Sequence, residues 1–196
     1  MAVAMVGMQM QMIARGLLAY ELAGNFSAVG ALAAAWGIPQ FFLALPGGAV
    51  ADRMDKRTIL LLTQAAVLVQ ALGIGLLITF DAISLELMFL FGIVLGGTFS
   101  FNMPARQAYI PELVPKHELM NAIALNNTAM NATRLFSPVA AGLFIAVWGF
   151  ATTYYITAGM YALAFFAVVL LPRSTAHLAG ESTRGGMFSE IGVGLR

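Results

Sequence analysis

The chain contains 196 residues, of which 60% are hydrophobic and 10% are charged. Soluble domains average ~45–50% apolar and ~25% charged residues, so this composition argues against a water-soluble protein. A formal net charge of +1 provides no overall field that would attract nucleic acid. The sequence has no cysteine, which excludes disulfides, thiolate metal sites and a catalytic thiol within it.

Six apolar segments are predicted to be membrane-spanning helices. Crossing a bilayer takes about 20 apolar residues, and the uncharged runs 22–51, 58–80, 87–105 and 135–172 reach or approach that length. The last run must contain two helices, because a single one would extend about 57 Å across a hydrocarbon core of about 30 Å. Trp148 and Gly149 mark the turn. The predicted helices are 1–20, 26–50, 58–79, 85–103, 119–147 and 151–171.

The first predicted helix is the least apolar of the six, because it contains Gln9, Gln11 and Arg15. It lacks the basic segment that precedes the apolar core of a signal peptide, and the small-residue cleavage site that follows it. We interpret it as a membrane helix that is shortened at its beginning.

The basic residues predict the orientation of these helices. Lys and Arg are enriched in short cytoplasmic loops, and here they follow the second, fourth and sixth predicted helices, whereas the other three loops contain none. They are Arg53, Lys56 and Arg57; Arg106 and Lys116; and Arg173, Arg184 and Arg196. We therefore expect two cytoplasmic termini, a plasma-membrane location, a helical bundle at 1–171 and a cytoplasmic linker at 172–196.

A glycine- and charge-rich motif follows the second predicted helix. It reads Gly48-Ala-Val-Ala-Asp52-Arg53-Met-Asp55-Lys56-Arg57, and it resembles the loop signature of the major facilitator superfamily. A plain cytoplasmic anchor would explain the basic residues but not Asp52 or the glycines. Gly47 and Gly48 are expected to allow close approach of neighbouring helices. Asp55 stands where the superfamily prefers glycine, but exporters similar to siderophore and macrolide efflux carriers commonly have this acidic form.

A second motif lies after the fourth predicted helix. The sequence Pro104-Ala-Arg106-Gln107 continues through Ile110-Pro111-Glu112-Leu113-Val114 to 121–126, and it resembles the corresponding loop of the same exporters. The resemblance implies that Arg106 forms an ion pair with Asp52 at a cytoplasmic gate. The alternative is that Arg106 is only another cytoplasmic anchor.

A third motif lies in the fifth predicted helix and contains Ser137, Pro138 and Gly142. It resembles a family element in which a Gly-Pro pair followed by small residues shapes a bend, with Ser137 replacing the usual glycine. Pro138 removes one backbone hydrogen bond, which a membrane helix tolerates when neighbouring groups satisfy the freed carbonyl.

Polar residues inside the predicted helices are candidates for a solute cavity. Asn127, Asn131 and Arg134 share one face of the fifth helix, and Gln11 and Arg15 share one face of the first. An arginine within a membrane is costly and normally faces a cavity or a partner. The alternative is that these side chains hold helices together by hydrogen bonds.

The sequence gives no support for an enzyme. His117 and His177 are far apart, no glycine-rich phosphate loop is present, and no clustered ligands predict a metal site. We expect no cofactor and no nucleic-acid partner.

The three resemblances together imply an all-α integral membrane protein, the N-terminal six-helix half of a major facilitator transporter. Such a half would export a small amphiphilic solute by alternating access, driven by an ion gradient, with a missing C-terminal half or a second copy as its partner. The coupling carboxylate is not evident, because no Asp or Glu lies in the middle of a predicted helix. The rival interpretations are a non-transporting six-helix scaffold or accessory subunit, and a lipid flippase or lipid-handling enzyme.

Overall fold

The structure is a computed structural model that describes residues 2–170, except for the side chains of Ala2, Asp52 and Lys116. Every regular element in that range is helical. The elements are α1 (Ala2–Ala23), α2 (Phe26–Arg53), α3 (Lys56–Thr79), α4 (Leu85–Leu113), a short 3-10 helix (Lys116–Glu118) and α5 (Leu119–Leu170). The predicted linker at 172–196 lies outside the described residues.

Side-chain caps explain where α2 and α4 begin. The Asn25 side chain accepts a hydrogen bond from the Ala28 amide at 3.0 Å, and Ser84 caps α4 in the same way. Such caps satisfy amide groups that have no partner in the first turn of a helix. Between α1 and α2, Gly24 has a φ of 67°, a left-handed conformation that glycine adopts without steric cost.

The fourth helix is longer than the sequence predicted. Its expected end at residue 103 was wrong, because α4 continues through Pro104 and Pro111 to Leu113. Arg106 therefore lies within the helix, not in the loop after it. A charged residue does not end a helix. A proline removes the hydrogen bond to the carbonyl four residues earlier, and the helix can continue when the surrounding groups accommodate the proline ring.

The longest element, α5, is interrupted at Gly149. This glycine has φ 76° and ψ 176°, and helical segments lie on both sides of it. A straight helix of the same length would measure about 78 Å, more than twice the thickness of a bilayer core. The interruption falls at the turn that the sequence predicted for Trp148 and Gly149.

Within residues 2–170, four helices are long and apolar enough to cross a membrane: Phe26–Ala51, Lys56–Thr79, Leu85–Leu113 and Leu119–Leu170. The first helix, α1, is not among them, which agrees with its polar residues Gln11 and Arg15. Both of these side chains are buried within the bundle. The polar content of α1 is therefore turned inward, toward the other helices.

The helices pack in two pairs, α2 with α4 and α1 with α5, while α3 lies against both α4 and α5. Glycines bring the first pair into backbone contact. A Cβ atom at Gly47 would overlap the Ser100 carbonyl, and one at Gly96 would overlap the Trp36 carbonyl. Pro104 has no N–H group, so it cannot donate a helical hydrogen bond to the Ser100 carbonyl. This is the carbonyl that lies against Gly47.

Candidate functional site

The loop signature between α2 and α3 is built around a helix cap. Asp55 precedes α3, and one of its carboxylate oxygens accepts hydrogen bonds from the Thr58 amide at 2.9 Å and the Thr58 hydroxyl at 2.7 Å. This is the standard role of an acidic residue at a helix N-terminus. The departure from glycine at this position thus has a local structural reason.

The two basic residues of the signature reach other helices. Lys56 Nζ lies 2.7 Å from Glu112 Oε1, which joins the start of α3 to the end of α4. The Arg57 guanidinium donates to the Val168 carbonyl at 3.1 Å and the Val169 carbonyl at 2.6 Å. Arg57 therefore joins the start of α3 to the last described turn of α5.

The remaining signature residues occupy different environments. Arg53 is exposed in the last turn of α2. The expected close approach holds at Gly47, whereas no atom lies within 4 Å of a Cβ built at Gly48. The Asp52 side chain is outside the described residues, so its pairing with Arg106 stays a prediction.

A small cavity, the Arg106 pocket, lies between α1, α3, α4 and the second segment of α5. Its volume is about 20 Å³, close to that of one water position. Its polar lining consists of Thr63, Gln64, Thr98, Asn102, Arg106 and Tyr161. The Asn102 amide donates to the Thr63 hydroxyl at 2.6 Å. The Gln64 amide oxygen and the Tyr161 hydroxyl are buried without a hydrogen-bond partner.

A larger cavity, the Arg15 pocket, lies between α1, α2 and α4 and has a volume of about 250 Å³. Gln11 and Arg15 are its polar residues. Its other lining residues are Met8, Met12, Gly16, Val29, Leu32, Ala33, Trp36, Gly37, Leu95 and Phe99. Both polar atoms of the Gln11 amide and the Nε of Arg15 are buried without a hydrogen-bond partner. The pocket thus combines an apolar wall with unsatisfied polar groups.

The two pockets have a common wall, because Met8 and Phe99 line both of them. A buried tyrosine lies near each arginine, Tyr154 near Arg15 and Tyr161 near Arg106. Of these two tyrosines, Tyr161 lines its pocket. Tyr154 and Tyr161 are about two helical turns apart and so share one face of α5.

The polar residues of the first α5 segment form a separate group. Asn127, Asn131 and Arg134 are all exposed, and none of them lines either pocket. Ser137 is buried, whereas a Cβ at Gly142 would meet nothing within 4 Å. The backbone of α5 remains helical through Pro138, and its non-helical residue is Gly149. A bend at Pro138 stays a prediction.

Sequence reasoning missed Gln64, Glu112, Tyr154 and Tyr161. The signal was present for Gln64, since it is a polar residue inside an apolar helix. The tyrosines gave no comparable signal, because a tyrosine in a membrane helix is equally expected at an interface. Glu112 was quoted as part of a motif, but its pairing with Lys56 depends on α4 continuing past residue 103.

A family model described as "transmembrane secretion effector", within the major facilitator superfamily, matches residues 1–196. The chain belongs to this family. Among residues 2–170 the chain has no group of three or more His, Cys, Asp or Glu side chains that could hold a metal ion.

Curated relatives match the chain over part of their length. A "staphyloferrin A transporter" of Staphylococcus aureus is 30% identical over 68% of the chain, and an "enterobactin exporter EntS" of Shigella boydii is 28% identical over 69%. An "uncharacterized MFS-type transporter YfiS" of Bacillus subtilis is 26% identical over 80%. The matched segment spans 33%, 33% and 36% of these three relatives respectively, so the chain corresponds to about a third of their length.

Proposed function

We propose that the protein exports a small amphiphilic solute across the plasma membrane by alternating access, using an ion gradient. The observation that carries the proposal is the Arg15 pocket. An apolar cavity with buried, unsatisfied polar groups between membrane-type helices suits a solute that has both apolar and polar parts. Membership in a family with exporter relatives supports transport over the scaffold and flippase alternatives.

The proposed topology has six spans, with the loop signature and both termini in the cytoplasm. The two segments of α5 on either side of Gly149 each supply one span. Helix α1 supplies another, because its polar residues Gln11 and Arg15 are buried in the bundle and are not presented to lipid. The basic residues Arg53, Lys56 and Arg57 favour the cytoplasmic side for the signature.

The proposed partner is a second six-helix half or a second copy of the same bundle. Helix α2 presents large exposed apolar side chains, among them Phe41, Phe42 and Leu45. The first segment of α5 does the same with Leu135 and Phe136. Lipid or a facing half could cover such surfaces, and the length of the relatives favours a facing half.

The proposed cytoplasmic gate consists of the loop signature and the end of α4. We expect Asp52 to pair with Arg106 in one state of the transport cycle. Lys56 with Glu112 and Arg57 with the end of α5 hold the surrounding helices in place. A charge pair can stabilise one state over another when its partners separate in the second state.

Transport by the whole reading frame in inverted membrane vesicles tests this function. Vesicles are energised with an imposed proton gradient, and uptake is measured for radiolabelled amphiphilic acids and for neutral amphiphiles of similar size. We expect uptake of at least one compound above that of vesicles without the protein. Gradient-independent movement of a fluorescent phospholipid instead of these solutes would identify a flippase, and no protein-dependent movement of either kind would favour a scaffold.

A further inference from the structure

Two buried polar side chains line the Arg15 pocket, and a third lies beside Arg15; each has a polar atom without a hydrogen-bond partner. Gln11 is 2% exposed and Arg15 is 7% exposed, and both line the cavity. Tyr154 is fully buried next to Arg15, and its hydroxyl also lacks a partner. Buried polar groups are nearly always hydrogen-bonded in folded proteins, so three neighbouring exceptions around one cavity point to a missing ligand.

The charge in the pocket is positive and has no acidic neighbour among the described side chains. The acidic residues with described side chains lie at or beyond helix ends: Glu21, Asp55, Asp81, Glu86, Glu112 and Glu118. Of these, Glu112 pairs with Lys56 and Asp55 caps α3. A guanidinium presents several donors in a planar fork that matches an oxyanion, and a buried charge requires a partner of opposite sign.

The rest of the pocket determines what kind of oxyanion fits. The walls contributed by Val29, Leu32, Trp36 and Phe99 are apolar. The volume of about 250 Å³ lies just below the range of roughly 300–1,000 Å³ typical of ligand pockets. The cavity therefore suits one end of a solute, with an acidic group next to an aromatic or aliphatic body.

We propose that the Arg15 pocket binds the oxyanion of the exported solute, with Arg15 and Gln11 as the contacting groups. This proposal rests on the proposed function and adds the substrate class, an amphiphilic organic acid. A phospholipid headgroup could supply the same oxyanion chemistry, and the experiment separates these two sources.

The test compares benzoate with benzamide, which have the same shape but differ in charge. The whole protein is placed in phosphatidylcholine nanodiscs, and binding is measured by saturation-transfer NMR titration against empty nanodiscs. We expect benzoate to bind at least about tenfold more tightly than benzamide, as a charge-assisted contact implies. Equal affinities for the two compounds would overturn the proposal.

Variants test whether the charge and the pocket are responsible. Arg15→Gln should reduce benzoate affinity to that of benzamide, and Arg15→Lys should retain part of the preference. Ala33→Phe should block binding by filling the pocket, whereas Ala34→Phe should not, because Ala34 is exposed on the same helix but does not line the cavity. Unchanged benzoate affinity in both Arg15→Gln and Ala33→Phe would contradict the proposal. If Arg15→Gln does not fold, the partial preference for benzoate expected of Arg15→Lys still tests the role of the side chain at position 15.

Two further measurements complete the experiment: competition by an anionic lipid, and transport in vesicles. If phosphatidylglycerol added to the nanodiscs displaces benzoate and requires Arg15 to do so, the occupant is a headgroup phosphate and the solute assignment fails. If vesicles show export while benzoate and benzamide bind equally, the proposed function stands and the pocket proposal fails. If benzoate binds selectively but no solute is exported, the assignment of the bound oxyanion to an exported solute fails together with the proposed function.

Discussion

Lys56 Nζ lies 2.7 Å from Glu112 Oε1, so the first residue of α3 is tied to the last turn of α4. Both side chains are largely shielded from solvent, with 17% and 14% of their areas exposed. Removal of either partner therefore leaves a charge that is only partly hydrated, which costs more than it does at a fully exposed ion pair.

A double-mutant cycle on this pair should give a coupling free energy of about 1 kcal/mol. Lys56→Met and Glu112→Gln should each lower the midpoint of thermal unfolding in detergent. The combined variant should lose less than the sum of the two single changes. Additive losses would mean that the two side chains do not interact in the protein.

Gly47→Ala should destabilise the bundle by about 1–3 kcal/mol, because the new Cβ would collide with the Ser100 carbonyl. The matched control is Gly48→Ala, where no atom lies within 4 Å of the added Cβ. That neighbouring change should be neutral or slightly stabilising, since alanine is the better helix former. Thermal unfolding of the two variants provides the comparison, and similar losses would contradict the close approach of α2 and α4.

Asp52→Asn should abolish most transport while leaving membrane insertion intact, if its carboxylate stabilises one state of the gate. Asp55→Asn is a suitable control, because an amide oxygen can still accept the hydrogen bonds from Thr58 that cap α3. Asp55→Ala should lower stability by about 1 kcal/mol through loss of that cap. Vesicle transport and thermal unfolding separate these effects. Normal transport by Asp52→Asn would mean that the signature only anchors the loop at the cytoplasmic side.

The proposed topology predicts which introduced cysteines react from outside the cell. The chain contains no cysteine of its own. Glu21→Cys and Ala82→Cys should react with an impermeant maleimide in intact cells, whereas Met54→Cys should react only after the membrane is opened. All three positions are exposed at helix ends. Reaction of Met54→Cys in intact cells would reverse the orientation.

The polar face of α5 should be reachable from water if it lines the solute cavity. Asn127→Cys should react with a soluble thiol reagent in membranes, and Phe136→Cys should not. Both positions are exposed in the bundle, but they are about two and a half helical turns apart and so face opposite sides of the helix. Equal reactivity would remove Asn127 and its neighbours Asn131 and Arg134 from the list of cavity residues.

The sequence predicted the helical class and most helix positions, because long apolar runs and glycine or capping residues report directly on membrane helices. It misplaced the end of α4, where Arg106 and two prolines resemble a loop but lie inside the helix. Backbone hydrogen bonding and packing against α2 outweigh the local cost of those residues.

Whether the candidate residues serve transport stays a prediction. The sequence singled out Gln11 and Arg15 because polar residues in an apolar helix are conspicuous, and the structure places both in the lining of one pocket. It does not bring them together with Asn127, Asn131 and Arg134. Neighbours supplied by other helices, such as Tyr154 beside Arg15, depend on how distant segments pack, which the spacing of residues within one helix does not encode.

The contacts of Gly47 with Ser100 and of Gly96 with Trp36 have a mechanical consequence. Two helices that touch backbone to backbone at two separate levels cannot shear past one another, because each carbonyl blocks axial displacement at a glycine. We therefore expect helices α2 and α4 to move together. A widening of the Arg15 pocket, which lies between α1, α2 and α4, then requires α1 to tilt away from this pair.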